Sequence, residues 1–145
     1  MQELAEFSNQ HILLVAGLVA SAFAVIFYEL KMKAGSVGSL NTAMAIRLIN
    51  TGMAIVDIRT AKQFAENHIV NAKNIPEAEL LKSPSSLDKH KKGTLLICDT
   101  GSRSSACAGR LRKDGSEKVF SIKGGMLAWQ QDNLPVVSKA PTGDS

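Results

Sequence analysis

Cysteine is scarce in this sequence: of 145 residues only Cys98 and Cys107 carry a thiol. That excludes a disulfide-stapled secreted scaffold and points to a compartment in which thiols stay reduced. Aromatic residues are few as well, one Trp, one Tyr and five Phe. The basic residues are scattered with no aromatic platform among them, so the formal charge of +4 and the pI near 9.2 do not describe a nucleic-acid surface. No nucleic-acid partner is expected. Internal repeats and low-complexity tracts are also missing. The length suits one domain with appendages, because a single core occupies about 100 to 150 residues.

Charge is missing altogether from Phe7 to Tyr28, with His11 taken as neutral, and "ILLVAGLVASAFAVIFY" from Ile12 to Tyr28 is almost wholly apolar. About 20 such residues at 1.5 Å each cross a bilayer core. A helix apolar all round has no place on a small soluble domain. A cleaved signal peptide is the alternative, since Ala22 and Ala24 form an Ala-x-Ala; but Glu3 and Glu6 with no Lys or Arg make the wrong leading segment, and "VIFY" prolongs the apolar run. The expected organisation is a short segment 1–10, a transmembrane helix 11–30 in contact with lipid, a linker 31–36, a folded domain 37–137 and a flexible tail 138–145. All 17 Lys and Arg follow Tyr28, which sets the N-terminus outside and the domain in the cytoplasm, at a bacterial inner membrane. The anchor leaves room for a membrane-protein partner. "MKAGSVGS" at 32–39 has the small-residue content of a tether.

Beyond it, "NTAMAIRLINTG" reads as a helix capped by Asn41 and closed by Gly52. Buried strands are expected at 53–58, 94–98 and 118–122, where short apolar runs are bounded by turn residues. Helices are expected over "AKQFAEN" after Thr60, briefly at the end of "NIPEAELL" after its proline turn, from about Ser102 to Asp114, and over "MLAWQQ". Residues 82–92 read as a surface loop with His90 solvated. This alternation gives an α/β fold with a central, mainly parallel sheet flanked by helices.

In such a sheet, ligands bind beyond the carboxyl ends of the strands. Cys98 sits at one of those ends, in "CDTGSRS". Gly101 permits a positive φ, the turn gathers backbone N–H groups into a nest, and the helix behind adds its own partial positive charge. With Arg103, these features favour thiolate over thiol at Cys98 and make it a nucleophile. The plainer reading is a small buried residue ending a strand. A core cysteine needs neither the glycine, nor the arginine, nor the helix start.

At this point the pattern CxxGxRS resembles the active-site loop of rhodanese-domain sulfurtransferases. "VDIR" at 56–59, "HI" at 68–69, "NIP" at 74–76, "GGMLAW" at 124–129 and "LPV" at 134–136 follow in the family's order, over about residues 37–137. The chain looks like a membrane-anchored single-domain member, with the three-layer fold of that family. The resemblance implies that Cys98 accepts a sulfane sulfur from a small donor such as thiosulfate, holds it as a persulfide, and passes it to cyanide or a thiol. Arg103 would share the catalytic work. Asp99, Thr100, Gly101, Ser102 and Ser104 would line the substrate, with the amides of 99–103 around the persulfide. No cofactor or metal is implied. Related cell-cycle phosphatases of the same fold place five residues between cysteine and arginine, whereas four intervene here, Asp99 to Ser102, which the family associates with sulfur.

Several positions depart from the family. Asn67 and Asn71 stand where glycine is common, and asparagine tolerates the left-handed region. Gln63 replaces an acid, which leaves the ionic partner of Arg59 open, with Glu66 nearby. Asp99 replaces a basic or neutral residue and opposes a dianionic donor. Cys107 and Trp129 are expected in the core, His68 in a turn, and Asp57 with Arg59 in a structural ion pair.

Overall fold

A computed structural model describes residues 11–35 and 38–138. The segment expected at 1–10, residues 139–145 of the expected tail, and Ser36 with Val37 lie outside the described residues. The chain divides into two units, residues 1–36 and 37–145.

In the first unit, helix α1 (Ile12–Gly35) holds 24 residues. From Ile12 to Leu30 its mean hydropathy is 2.2 and none of that window is buried. A helix of this kind is long and apolar enough to cross a membrane. It also continues through residues 32–35, which were expected to begin the tether.

The second unit holds β1 (Ser39–Leu40), α2 (Thr42–Asn50), β2 (Ala54–Asp57), α3 (Ala61–Glu66), β3 (His68–Ile69), β4 (Lys73–Asn74) and α4 (Glu77–Lys82). A 3-10 turn over Pro84–Leu87 follows, then β5 (Thr94–Ile97), α5 (Ser102–Lys113), β6 (Val119–Ile122), α6 (Gly125–Gln131) and β7 (Val136–Val137). Five strands form one parallel sheet in the order β1-β6-β5-β2-β4, and β3 pairs with β7 in a small antiparallel ribbon. The three expected buried strands are its centre, with Ile55 beside Leu95 and Leu95 beside Phe120. Ser39, read as tether, instead pairs with Ser121 at the sheet edge. His90 is half-buried rather than solvated.

The pleat sorts the core into two layers. Leu95 and Ile97 pack on one face with Ala45, Met126 and Trp129 from α2 and α6. Leu96 and Cys98 pack on the other with Leu80, Cys107 and Leu111 from α4 and α5. This period of two, applied to a strand covered on both sides, is why Thr94–Ile97 reads as one unbroken apolar run.

Local capping follows the sequence. Asn41 accepts the amide of Met44 at 2.8 Å, and Thr60 and Gln63 form a reciprocal capping box at the start of α3. Asn71 adopts a φ of 65°, as expected of a glycine substitute. Asn67 does not: its φ is −161°, extended backbone, and it serves the arginine described below. Trp129 is buried and donates its indole N–H to the carbonyl of Pro135 at 3.0 Å.

Candidate active site at the strand ends

From β2 the chain moves outward to β4 and then returns to the other side of β2 as β5. Connections diverge at that point, so the carboxyl ends of β2 and β5 open a crevice. Arg59 follows β2, Cys98 and Asp99 follow β5, and Gly124 and Gly125 follow β6.

The cysteine loop is wound around sulfur. Gly101 caps α5 with a φ of 83°, which turns its amide back toward Cys98. Cys98 Sγ accepts that amide at 3.1 Å and the amide of Ser104 at 3.4 Å. Ser104 Oγ donates to the carbonyl of Gly101 at 3.2 Å, which holds the turn closed. Two N–H groups at a helix start are aimed at the sulfur, the kind of cradle in which backbone amides hold an anion. Ser104 supplies one of them, from beyond the stretch 99–103 that was expected to surround the sulfur.

A second loop locks the first. The amides of Met126 and Leu127, in the first turn of α6, donate to the carbonyls of Cys98 at 2.8 Å and Asp99 at 3.0 Å. The end of α6 is thus capped by the cysteine loop, because neither Gly124 nor Gly125 has a side chain to do it. The backbones approach so closely that a Cβ on Gly125 would strike the carbonyl of Cys98 and the amide of Gly101. The paired glycines at 124–125 are therefore part of the site. They were visible in the sequence only as a family signature.

Beside the loop lies a network of charge. Arg59 donates from Nη2 and Nε to Asp57 at 2.7 and 3.0 Å, and both residues are buried. The same guanidinium donates to the carbonyl and side-chain oxygens of Asn67 and reaches Asp99 at 3.5 Å. Burial pulls the Arg59 pKa down, but the bond and charge of Asp57, with Asp99 behind it, outweigh burial and hold it above its ordinary value. Asp57 is thus the ion-pair partner expected from the sequence, and Asn67 and Asp99, rather than Glu66, are the further partners that the sequence left open. Gln63 Nε2 donates to the same Asp99 carboxylate at 3.1 Å, and so does Arg103 at 3.1 Å.

Cys98 itself is 1% exposed. Thr100, Ser102 and Arg103 of the same loop are exposed. A cavity of about 290 Å³ adjoins the cysteine loop at Asp99 and Thr100 and is otherwise walled by residues of α3 and α6 and by Arg59 and Asn67; Cys98 itself does not line it. Cys107 is fully buried in α5, and desolvation, reinforced by Glu77 and opposed by Arg110, pushes its thiol up to about 11. His68 stacks on Phe64 and places Nδ1 2.7 Å from the Phe64 carbonyl, a structural position. Among the described residues no cluster of His, Cys, Asp or Glu is able to hold a metal.

Comparison with known proteins agrees with this geometry. The protein YibN of Escherichia coli, itself uncharacterized, is 31% identical over 140 residues, spanning 94% of this chain and 98% of its own length. Thiosulfate sulfurtransferase 18 of Arabidopsis thaliana is 32% identical over 117 residues, covering 72% of this chain and 86% of that one. Among solved structures, a rhodanese-related protein from Thermoplasma volcanium superposes with a TM-score of 0.62 at 29% identity, over 68% of this chain and 96% of that one. The profile of the rhodanese-like domain matches residues 41–132, and with the parallel sheet and the loop around Cys98 in place, the chain belongs to the rhodanese-like domain family.

Proposed function

We propose that the chain is a sulfurtransferase working through a persulfide on Cys98. The observation that carries this reading is the pair of amides, Gly101 and Ser104, directed at Cys98 Sγ. The thiolate attacks the outer sulfur of a donor such as thiosulfate, the donor S–S bond breaks, and sulfite leaves with the bonding pair. Cyanide or a thiolate then attacks the terminal sulfur of the persulfide, and the Cys98 thiolate returns. Two separate displacements on one residue give ping-pong kinetics. The amides that hold the thiolate also hold the persulfide anion, while Arg103, at the rim, is the cation available to an anionic donor once it leaves Asp99.

The near-complete burial of Cys98 favours a second reading, a tethered binding module with little catalysis. A thiosulfate:cyanide assay on wild type and Cys98→Ser separates the two. Sulfur transfer that vanishes in Cys98→Ser supports the enzyme; no cysteine-dependent transfer to cyanide or to any thiol supports the module. The phosphatase reading is third, since four residues separate Cys98 from Arg103, and an absence of aryl-phosphate hydrolysis is expected.

Helix α1 completes the proposal as a single-pass anchor in a bacterial inner membrane, with the N-terminus outside. Its support is the apolar, unburied stretch Ile12–Leu30 and the confinement of every Lys and Arg to the chain beyond it.

A further inference from the structure

Resting on the sulfur-transfer reading of Cys98, we propose that Asp99 and Glu66 make the adjoining cavity select thiol acceptors that are neutral or cationic around their sulfur, and disfavour anionic ones. The argument is one of unmatched charge. Arg59 is committed to Asp57 by a bidentate contact inside the fold. Arg103 faces Asp99 in an exposed ion pair at the rim. Among the described residues, each guanidinium at this mouth therefore already faces a carboxylate, and an incoming anion meets no unmatched one there. Glu66 lines the same cavity, and no ion pair holds it among the described residues. The surplus charge where a substrate enters is negative.

The position of the acid is fixed rather than incidental. The Asp99 carbonyl is held by the amide of Leu127, and its carboxylate by Gln63, Arg59 and Arg103. Gln63 and Asp99 are both departures from the family pattern, and they are bonded to each other. The carboxylate that would face Arg59 from position 63 is instead supplied from position 99, next to the nucleophile. Met126 and Leu127 form an apolar floor that suits the carbon stem of a thiol. In the selected step, the acceptor thiolate attacks the outer sulfur of the Cys98 persulfide. The internal S–S bond breaks, its electron pair stays on Cys98 Sγ, and the acceptor leaves as a persulfide; its thiol proton has already gone to solvent.

The test isolates this half-reaction in the full-length protein. Cys98 is loaded with sulfur from excess donor, the donor is removed, and discharge is followed by mass spectrometry with cysteamine, 2-mercaptoethanol and mercaptosuccinate at equal thiolate concentration. We expect cysteamine to discharge the persulfide about three- to tenfold faster than mercaptosuccinate, the effect of one surplus, partly screened carboxylate on thiols that differ by three charges. Asp99→Asn and, separately, Glu66→Gln should each shrink that ratio, and so should high salt. Equal rates for the three thiols, or an unchanged ratio in both variants, overturns the proposal. A protein that takes up no sulfur on Cys98 from any donor removes the sulfur-transfer reading, and this proposal with it; charge-blind discharge of a loaded protein removes this proposal alone.

Discussion

The amide of Gly101 lies 3.1 Å from Cys98 Sγ because Gly101 adopts a φ of 83°. A side chain there is strained by about 1–3 kcal/mol, and its Cβ would also sit 2.7 Å from the amide of Gly124 and the carbonyl of Ile122. Gly101→Ala is therefore expected to lower stability by at least about 2 kcal/mol and to turn one N–H away from the sulfur. Sulfur loading of Cys98 should fall at least about tenfold, the loss of one strong aimed donor. Loading measured by mass spectrometry at a temperature where the variant is still folded checks this, and an undiminished rate would contradict the role given to that amide.

Arg59 and Asp57 answer to stability first. Removing one member of a buried ion pair strands the other and costs about 3–5 kcal/mol, while replacing both with apolar residues costs much less. Arg59→Leu should accordingly destabilise the domain more than the double variant Asp57→Val with Arg59→Leu. Denaturant midpoints decide it. Additive effects of the two substitutions would show that the pair is not coupled.

Much of this site was legible in the sequence because its parts are local. The cysteine, the glycine, the arginine and the helix start lie within seven residues, and the strand preceding them is a short apolar run whose length and β-branched neighbours identify it. Capping by Asn41 and Thr60 is equally local. What could not be read are contacts between segments far apart in the chain. The paired amides of Met126 and Leu127 on the cysteine loop depend on how β6 sits beside β5. The commitment of Asp99 to Gln63 and Arg59 depends on β5 pairing with β2. Asn67 departs from the glycine-like role for the same reason: its value lies in the oxygens it offers Arg59, not in a left-handed backbone. Two-residue strands such as β1, β3 and β7 carry no periodic pattern at all, so Ser39 looked like linker.

Cys107 provides a pH test that does not involve the active site. Its thiol is pushed up to about 11 from an ordinary 9.0, so above pH 9 the unfolded chain releases this proton while the folded chain keeps it. The contribution is fully present below pH 9 and is lost as pH rises toward 11. Its size is on the order of 2–3 kcal/mol. Unfolding free energy should fall less steeply from pH 9 to 11 in Cys107→Ala than in wild type, whatever packing that variant loses overall. Cys107 should also resist alkylation in the native protein at pH 8. Parallel slopes, or rapid alkylation at Cys107, would contradict its placement.

Helix α1 should decide where the chain resides. A stretch of 19 residues from Ile12 to Leu30 with mean hydropathy 2.2 spans about 28 Å as an α-helix, close to the bilayer core. The full chain is therefore expected in the membrane fraction and resistant to alkaline carbonate, whereas a chain starting at Val37 should be soluble and keep the fold, since its core is contained in residues 37–145. Lys31 and Lys33 closely follow the span, and no Lys or Arg precedes it. In spheroplasts, external protease should leave the domain intact and cut it only after lysis. Introducing arginines at Gln2 and Ser8 while removing Lys31 and Lys33 should weaken that orientation. A domain cleaved in intact spheroplasts, or a full chain released by carbonate, would show that the apolar helix serves some purpose other than anchoring the domain at the cytoplasmic face.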